Sequence, residues 1–126
     1  MIVAGFGFRA AATVTSLRDA LDLARQGLGE DQPIACLATA ADKAVTAPFA
    51  ALADALGLPI RGIDTARLTT QHTPTRSSAS QAARGTGSVA EAAALAAAGA
   101  GSSILVPRVI SGDGMATCAL AERKDP

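Results

Sequence analysis

Segment 84–91 combines glycines, hydroxyls and a carboxylate directly before an alanine-rich stretch. Ser88 and Glu91 have the spacing of a capping box, which predicts a helix over 88–98. Gly85 and Gly87 would let the backbone approach a ligand closely, and the N–H groups of the first helical turn favour a carboxylate or phosphate. The segment therefore predicts an anion-binding turn, although an ordinary junction between loop and helix has the same pattern.

A second candidate lies at the end of the first predicted strand, where Gly5-Phe6-Gly7-Phe8-Arg9-Ala10 follows an apolar run. The glycines match the pattern of a dinucleotide-binding turn, but that site needs an acidic residue at the end of the second strand, where Thr39-Ala40-Ala41 stands. No nicotinamide or flavin cofactor is therefore expected. Arg9 is more informative, because open α/β sheets bind ligands at the carboxyl ends of their strands. The alternative is a solvated arginine.

The second predicted strand also ends in reactive groups, with Thr39 followed by Asp42 and Lys43. If the sheet is mainly parallel, Lys43 shares an edge with Arg9 and with Arg108, which follows the fourth predicted strand. A simple exposed pair between Asp42 and Lys43, worth at most ~1 kcal/mol, is the alternative.

Arginine is concentrated in the middle of the chain, although the formal net charge is +0. Residues 58–112 contain five arginines but only Asp64 and Glu91 as acids. The planar fork of arginine binds carboxylates through two hydrogen bonds, so this composition suits a polycarboxylate ligand.

The sequence gives little support for a metal site or a catalytic nucleophile. His72 has no cysteine or acidic partner at metal-ligand spacing, and no metal site or catalytic triad is predicted. Cys36 and Cys118 each lie in an apolar, strand-like run, which favours core packing over a disulfide.

The bulk composition predicts one globular domain over 1–126, with 49% hydrophobic and 2% aromatic residues. The neutral balance favours neither nucleic acid nor an acidic membrane surface, and no apolar run is long enough to span a bilayer. A cytoplasmic location and no cofactor are expected.

Strand and helix patterns alternate along the chain. The predicted fold is a single α/β domain with a mainly parallel sheet of about five strands, one antiparallel edge strand and flanking helices. Residues 69–83 lose all periodicity and form a long loop, typical of a functional lid or of disorder. Strands are predicted at 2–7, 34–39, 59–63, 103–107 and 115–121, and helices after the caps Ser16, Thr46 and Ser88, with a single turn at 64–68.

Three of these segments together resemble the CobE family, which also forms the C-terminal domain of CbiG in cobalamin biosynthesis. They are Gly5-Phe6-Gly7-Phe8-Arg9, then Ala38-Thr39 with Asp42-Lys43-Ala44, and then Thr86-Gly87-Ser88-Val89-Ala90-Glu91 with the alanines that follow. The family often has a glutamate and a lysine where this chain has Thr46 and Arg108.

The resemblance implies binding of a precorrin or corrinoid intermediate, a methylated tetrapyrrole with many carboxylates, by a carrier or accessory factor. Full-length CbiG is similar to a hydrolase that opens a lactone, so a precorrin-directed hydrolase or lyase, with Lys43 or Glu91 as acid or base, is the alternative. A third possibility is a structural partner of a pathway methyltransferase. The predicted ligand-binding residues are Gly5, Gly7, Arg9, Thr39, Lys43, Gly85, Thr86, Gly87, Ser88 and Arg108.

Overall fold

The structure, a computed structural model, describes residues 1–28, 32–74 and 88–124. The described strands are β1 (Ile2–Phe8), β2 (Cys36–Ala40), β3 (Ile60–Ile63), β4 (Ser103–Ile110) and β5 (Ala116–Glu122). The described helices are α1 (Val14–Arg25), α2 (Ala41–Ala44), α3 (Ala47–Leu56), α4 (Thr65–Thr69) and α5 (Val89–Ala98). Among these residues, no helix has the length and apolar character required to cross a membrane.

The strands form one five-stranded sheet in the order β3-β2-β1-β5-β4. β1, β2 and β3 pair in parallel, whereas β5 is antiparallel to both β1 and β4. β4 therefore runs in the same direction as β1 and forms an edge of the sheet. The predicted α/β fold, mainly parallel with antiparallel pairing at one edge, is confirmed. The strand of opposite direction is β5, one place inside that edge, because the hairpin inserts it between β1 and β4.

Successive side chains of β1 point to opposite faces of the sheet, so the strand contributes to a separate apolar cluster on each face. Ile2, Ala4 and Phe6 join the apolar cluster formed with α1 and α3. Val3 joins a second cluster, which contains the alanines of α5 and Leu68 of α4. Helices consequently cover both faces, and the ends of the strands are where side chains can meet a ligand.

Helix α1 begins three residues earlier than the sequence predicts, with Thr13 as its N-cap. The Thr13 side chain accepts from the Ser16 N–H at 3.2 Å, and the Ser16 hydroxyl accepts from the Thr13 N–H at 3.2 Å. The prediction that Ser16 caps the helix was wrong, because two hydroxyl residues three positions apart form a single capping box.

Strand β4 continues through Pro107 to Ile110. An edge strand tolerates a proline because one of its sides has no ladder of hydrogen bonds to lose. The pairing with β5 is irregular here, with a register shift between Val106 and Val109. Arg108 thus lies inside β4, and the prediction that it belongs to a loop beyond the strand was wrong.

Helix α5 confirms the predicted helix over 88–98, and every residue from Ala90 to Ala98 is buried. The Ser88 side chain accepts from the Glu91 N–H at 3.3 Å, so the serine half of the predicted capping box is present. The long loop predicted at 69–83 starts within α4, but its residues from 75 onward lie outside the described residues.

Candidate functional site

The carboxyl ends of β1, β2, β3 and β4 lie at one edge of the sheet, called here the carboxyl edge. Arg9 directly follows β1, and α2, which contains Lys43, directly follows β2. The β4–β5 turn reaches the same edge, since the Met115 carbonyl accepts from the Arg9 N–H at 2.9 Å. The first turn of α5 lies there too, because a Cβ at Gly7 would be 3.3 Å from the Val89 Cβ.

Arg9 has a fixed backbone and an exposed side chain. Besides the N–H bond to Met115, its carbonyl accepts from the Ala12 N–H at 3.0 Å. A guanidinium placed in this way can bind a carboxylate without first breaking a core contact.

Lys43 is half-buried, and its ammonium group lies 5.2 Å from the centre of the Phe8 ring. This is a cation–π distance. Phe8 in turn stacks on Phe49, with ring centres 5.8 Å apart and an interplanar angle of 11°. The aromatic pair therefore holds the Lys43 charge at the carboxyl edge, beside the strand that leads into Arg9.

Thr39 is fully buried, and its hydroxyl donates to the Phe6 carbonyl at 2.8 Å. The bond links β2 to β1 one residue beyond the last paired residues of the two strands, Gly5 and Ala38. The hydroxyl therefore has a structural partner, and its predicted contact with a ligand stays a prediction.

We expect Thr39→Val to lower the free energy of unfolding by about 1 kcal/mol, because the near-isosteric side chain removes this donor from the Phe6 carbonyl. Chemical denaturation followed by circular dichroism would measure the change. Thr39→Ser keeps the hydroxyl and is the control. A Thr39→Val protein as stable as the wild type, beside a Thr39→Ser protein that loses stability, would show that packing of the methyl group, and not the hydrogen bond, is what matters.

Gly5 and Gly7 lie inside β1, on the face that α5 covers. A Cβ at Gly5 would lie 2.5 Å from the Ala94 amide nitrogen and closer still to the Ala90 carbonyl oxygen. At Gly7 it would meet the Thr117 hydroxyl oxygen at 3.0 Å. Both glycines allow α5 to pack closely on the strand. The burial of Gly5 does not favour the predicted ligand contact.

Ser88, Glu91 and Arg108 form a junction between α5 and β4. Glu91 is fully buried, and its Oε2 accepts from the Arg108 backbone N–H at 2.9 Å. Arg108 itself is half-buried. The Glu91 carboxylate thus links α5 to the edge strand β4.

The structure brings Arg9 and Lys43 to the carboxyl edge and ties the Arg108 backbone to the first turn of α5. Thr39 lies beneath that edge rather than on it. The catalytic roles suggested for Lys43 and Glu91 stay predictions. Three of the predicted ligand-binding residues, Gly85, Thr86 and Gly87, lie outside the described residues.

Sequence reasoning missed several residues at this edge. It did not use Phe8 as a partner of Lys43, and it passed over Val45, which is 84% exposed at the end of α2. It also passed over Asp113, although Ser111-Gly112-Asp113-Gly114 is a strong turn signal that marks a well-defined hairpin.

Cys36 and Cys118 are buried, unpaired thiols, in agreement with core packing. Burial raises the pKa of Cys118 far above its usual range, and burial also raises the pKa of Cys36, although Arg61 opposes that change. Within residues 1–28, 32–74 and 88–124, no group of three or more histidine, cysteine or acidic side chains could hold a metal ion.

Fold and edge together define a small α/β domain with basic side chains at the carboxyl ends of its strands and an alanine-rich helix packed on a glycine-bearing first strand. A family model described as cobalamin synthesis G C-terminus matches residues 2–121. The chain therefore belongs to this family of the cobalamin biosynthesis pathway, and the resemblance drawn from the motifs is confirmed.

Solved structures agree with this assignment. CobE, a protein from the cobalamin (vitamin B12) biosynthetic pathway, is similar with a TM-score of 0.84 and 27% identity, over 96% of this chain and 89% of that one. Cobalamin biosynthesis protein chiG from Agrobacterium tumefaciens has a TM-score of 0.75 and 33% identity, over 99% of this chain and 100% of that one.

A cobalamin biosynthesis protein G homolog from Sulfolobus solfataricus shares the fold, with a TM-score of 0.69 and 18% identity. The match covers 98% of this chain but 37% of that longer one, so this chain corresponds to one part of it. No curated protein matches the chain.

Proposed function

We propose that this chain binds a precorrin or corrinoid intermediate at the carboxyl edge, as a carrier or accessory factor of cobalamin biosynthesis. The observation that carries the proposal is the placement of Arg9 and Lys43 after two adjacent parallel strands of a domain from this family. Arg108, on the edge strand, is the third basic residue of the proposed site.

The chemistry of the edge suits such a ligand. Corrin-ring intermediates carry acetate and propionate groups around a methylated ring, so they need both cations and apolar contacts. Arg9 and Lys43 supply cations, while Val45 and Ile110, 84% and 52% exposed, supply apolar surface at the ends of α2 and β4. Arginine and lysine bind carboxylates through charge-assisted hydrogen bonds, which are stronger than neutral ones.

The carrier role is favoured over the hydrolase or lyase by the position of Glu91. A general acid or base must come within hydrogen-bonding reach of the reacting group. Glu91 is fully buried and already binds the Arg108 backbone, which is a structural arrangement. Pathway methyltransferases are proposed as partners, because a carrier must deliver its ligand to another enzyme. A cytoplasmic location is proposed with the carrier role.

Substitution of the basic residues tests the proposed site. Each of Arg9→Ala, Lys43→Ala and Arg108→Ala should weaken binding of a metal-free corrinoid polycarboxylic acid by about tenfold, because a charge-assisted contact contributes roughly 1.5 kcal/mol or more. Binding is followed by the change in the visible spectrum of the corrinoid. The protein has no tryptophan or tyrosine, so its own fluorescence is not a suitable signal. Arg108→Ala keeps its backbone N–H, so its bond to Glu91 survives.

Arg18→Ala, on the exposed side of α1, is the matched control and should bind as the wild type does. Wild-type protein that fails to retain the corrinoid on gel filtration at tens of micromolar would refute the binding proposal. Ligand mass after incubation separates the two roles: a carrier returns the corrinoid unchanged, whereas a change of mass with catalytic amounts of protein would establish the enzyme.

A further inference from the structure

The short loop that carries Arg9 is held at both ends by bonds that converge on one carboxylate. That carboxylate belongs to Asp113, in the turn between β4 and β5. Its Oδ1 accepts from the Met115 N–H at 3.0 Å, and its Oδ2 accepts from the Ser16 hydroxyl at 2.6 Å. Each of these two partners leads to a different end of loop 9–13.

The first path runs through the Met115 peptide. Asp113 holds the N–H of Met115, while the carbonyl of Met115 accepts from the Arg9 N–H at 2.9 Å. The position of the Arg9 backbone is thus set by the turn, and the turn is set by the Asp113 carboxylate.

The second path runs through the Ser16 hydroxyl. This hydroxyl donates to Asp113, and its oxygen accepts from the Thr13 N–H at 3.2 Å. Ser16 is 2% exposed, so its end of this hydrogen bond is sheltered from water, although Asp113 itself is exposed. The far end of the loop is therefore tied to the same carboxylate.

The turn is braced on two further sides. The Ser111 hydroxyl donates to Asp113 Oδ1 at 2.6 Å and accepts from the Ala116 N–H at 3.1 Å. On the side of α1, the Gly112 N–H donates to Asp19 Oδ2 at 2.7 Å. A carboxylate with several donors in place is held in one orientation, which makes it a defined anchor.

We propose that Asp113 is a positioning residue for Arg9: it fixes the backbone of the loop, so that the Arg9 side chain projects from a defined place at the carboxyl edge before the ligand arrives. The proposal rests on the proposed function, in which Arg9 contacts the corrinoid. A preorganised loop binds more tightly because less ordering is required on binding.

Asp113→Ala is the test, with Asp22→Ala as a matched control on the exposed side of α1. Hydrogen exchange followed by NMR should show the Arg9 amide exchanging roughly tenfold faster, because the loop then opens without the rest of the domain. The Leu37 amide, which donates to the Pro59 carbonyl in the sheet, should be unaffected. Asp22→Ala should alter neither amide.

Affinity for the metal-free corrinoid gives the second readout. Asp113→Ala should weaken binding roughly threefold or more, and the Arg9→Ala/Asp113→Ala double variant should bind as Arg9→Ala alone, since residues that act through one another are not additive. Additive losses, an unchanged Arg9 amide, or an unchanged affinity would each overturn the positioning role. If Arg9→Ala itself binds as the wild type does, the proposed contact fails, while the exchange data still decide whether Asp113 holds the loop.

The network also predicts a pH dependence. Hydroxyl and amide donors lower the pKa of Asp113 from 3.8 to about 2. A lowered pKa means that the carboxylate stabilises the fold above the usual pKa and that this contribution disappears as the pH falls toward 2. Asp19 of α1, which binds the neighbouring Gly112, is the other carboxylate at this turn.

The difference in melting temperature between the wild type and Asp113→Asn should therefore shrink between pH 5 and pH 2. Calorimetry at several pH values measures it, with Asp22→Asn as the reference. A difference that stays constant over this range would show that the charge of Asp113 does not anchor the loop.

Discussion

Gly5→Ala is expected to lower the melting temperature by roughly 10 °C, corresponding to about 3 kcal/mol in a domain of this size. The added Cβ would lie 2.5 Å from the Ala94 amide nitrogen and closer still to the Ala90 carbonyl oxygen. Both atoms belong to the backbone of α5, so no side-chain rotation can relieve the overlap. The helix must move away from β1, and the alanines of the second core cluster lose contact with the sheet. Thermal unfolding followed by circular dichroism measures the loss.

Gly112→Ala is the matched control, because its Cβ would meet only the Asp19 Oδ2, at an ordinary 3.5 Å. It should change the melting temperature by no more than a few degrees, as surface substitutions usually do. A Gly5→Ala protein that melts with the wild type would show that α5 does not pack on β1 as closely as described.

Glu91→Ala is expected to lower the free energy of unfolding by about 2–4 kcal/mol, since it leaves a cavity and removes the acceptor of the Arg108 N–H. Glu91 has no exposed surface, so the space it vacates lies inside the domain. The junction between α5 and β4 would loosen, and with it the edge strand that carries Arg108. Chemical denaturation gives the loss directly.

Glu91→Gln separates the structural role of Glu91 from a catalytic role. The amide keeps an oxygen that can accept from the Arg108 N–H and has nearly the same volume, so we expect it to retain most of the stability. Asp54→Ala, on the exposed side of α3, should have little effect. If Glu91→Gln is stable but abolishes a measured turnover, Glu91 is an acid or base, and the carrier role gives way to the enzyme.

Local sequence patterns were sufficient for much of the fold. The helix over 88–98 follows from Ser88, Glu91 and a run of alanines, all of which act within a few residues of one another. The turn after Asp64 was also predicted, and the Asp64 side chain accepts from the Arg67 N–H at 2.8 Å. Alternating strands and helices determined the α/β class, because each element must bury its apolar face against another.

Local sequence patterns predicted the ends of elements less well, because more than one residue can cap a helix or end a strand. Thr13 and Ser16 are both plausible caps of α1 in the sequence, and in the structure Thr13 is the N-cap while the Ser16 hydroxyl also donates to Asp113 of the β4–β5 turn, a contact that only the tertiary structure provides. Pro107 suggested the end of a strand, but whether proline ends a strand depends on its place in the sheet, which is a tertiary property.

The sequence by itself determined the class of fold, the family, and the placement of Arg9 and Lys43 after the first two strands, because these depend on local propensity and on motif spacing. Only the tertiary structure decided what the surrounding residues do. Gly5 faces a helix some ninety positions away, Glu91 binds a backbone amide of an edge strand, and Asp113 reaches back to Ser16. Such contacts join residues distant along the chain, and no local pattern encodes them.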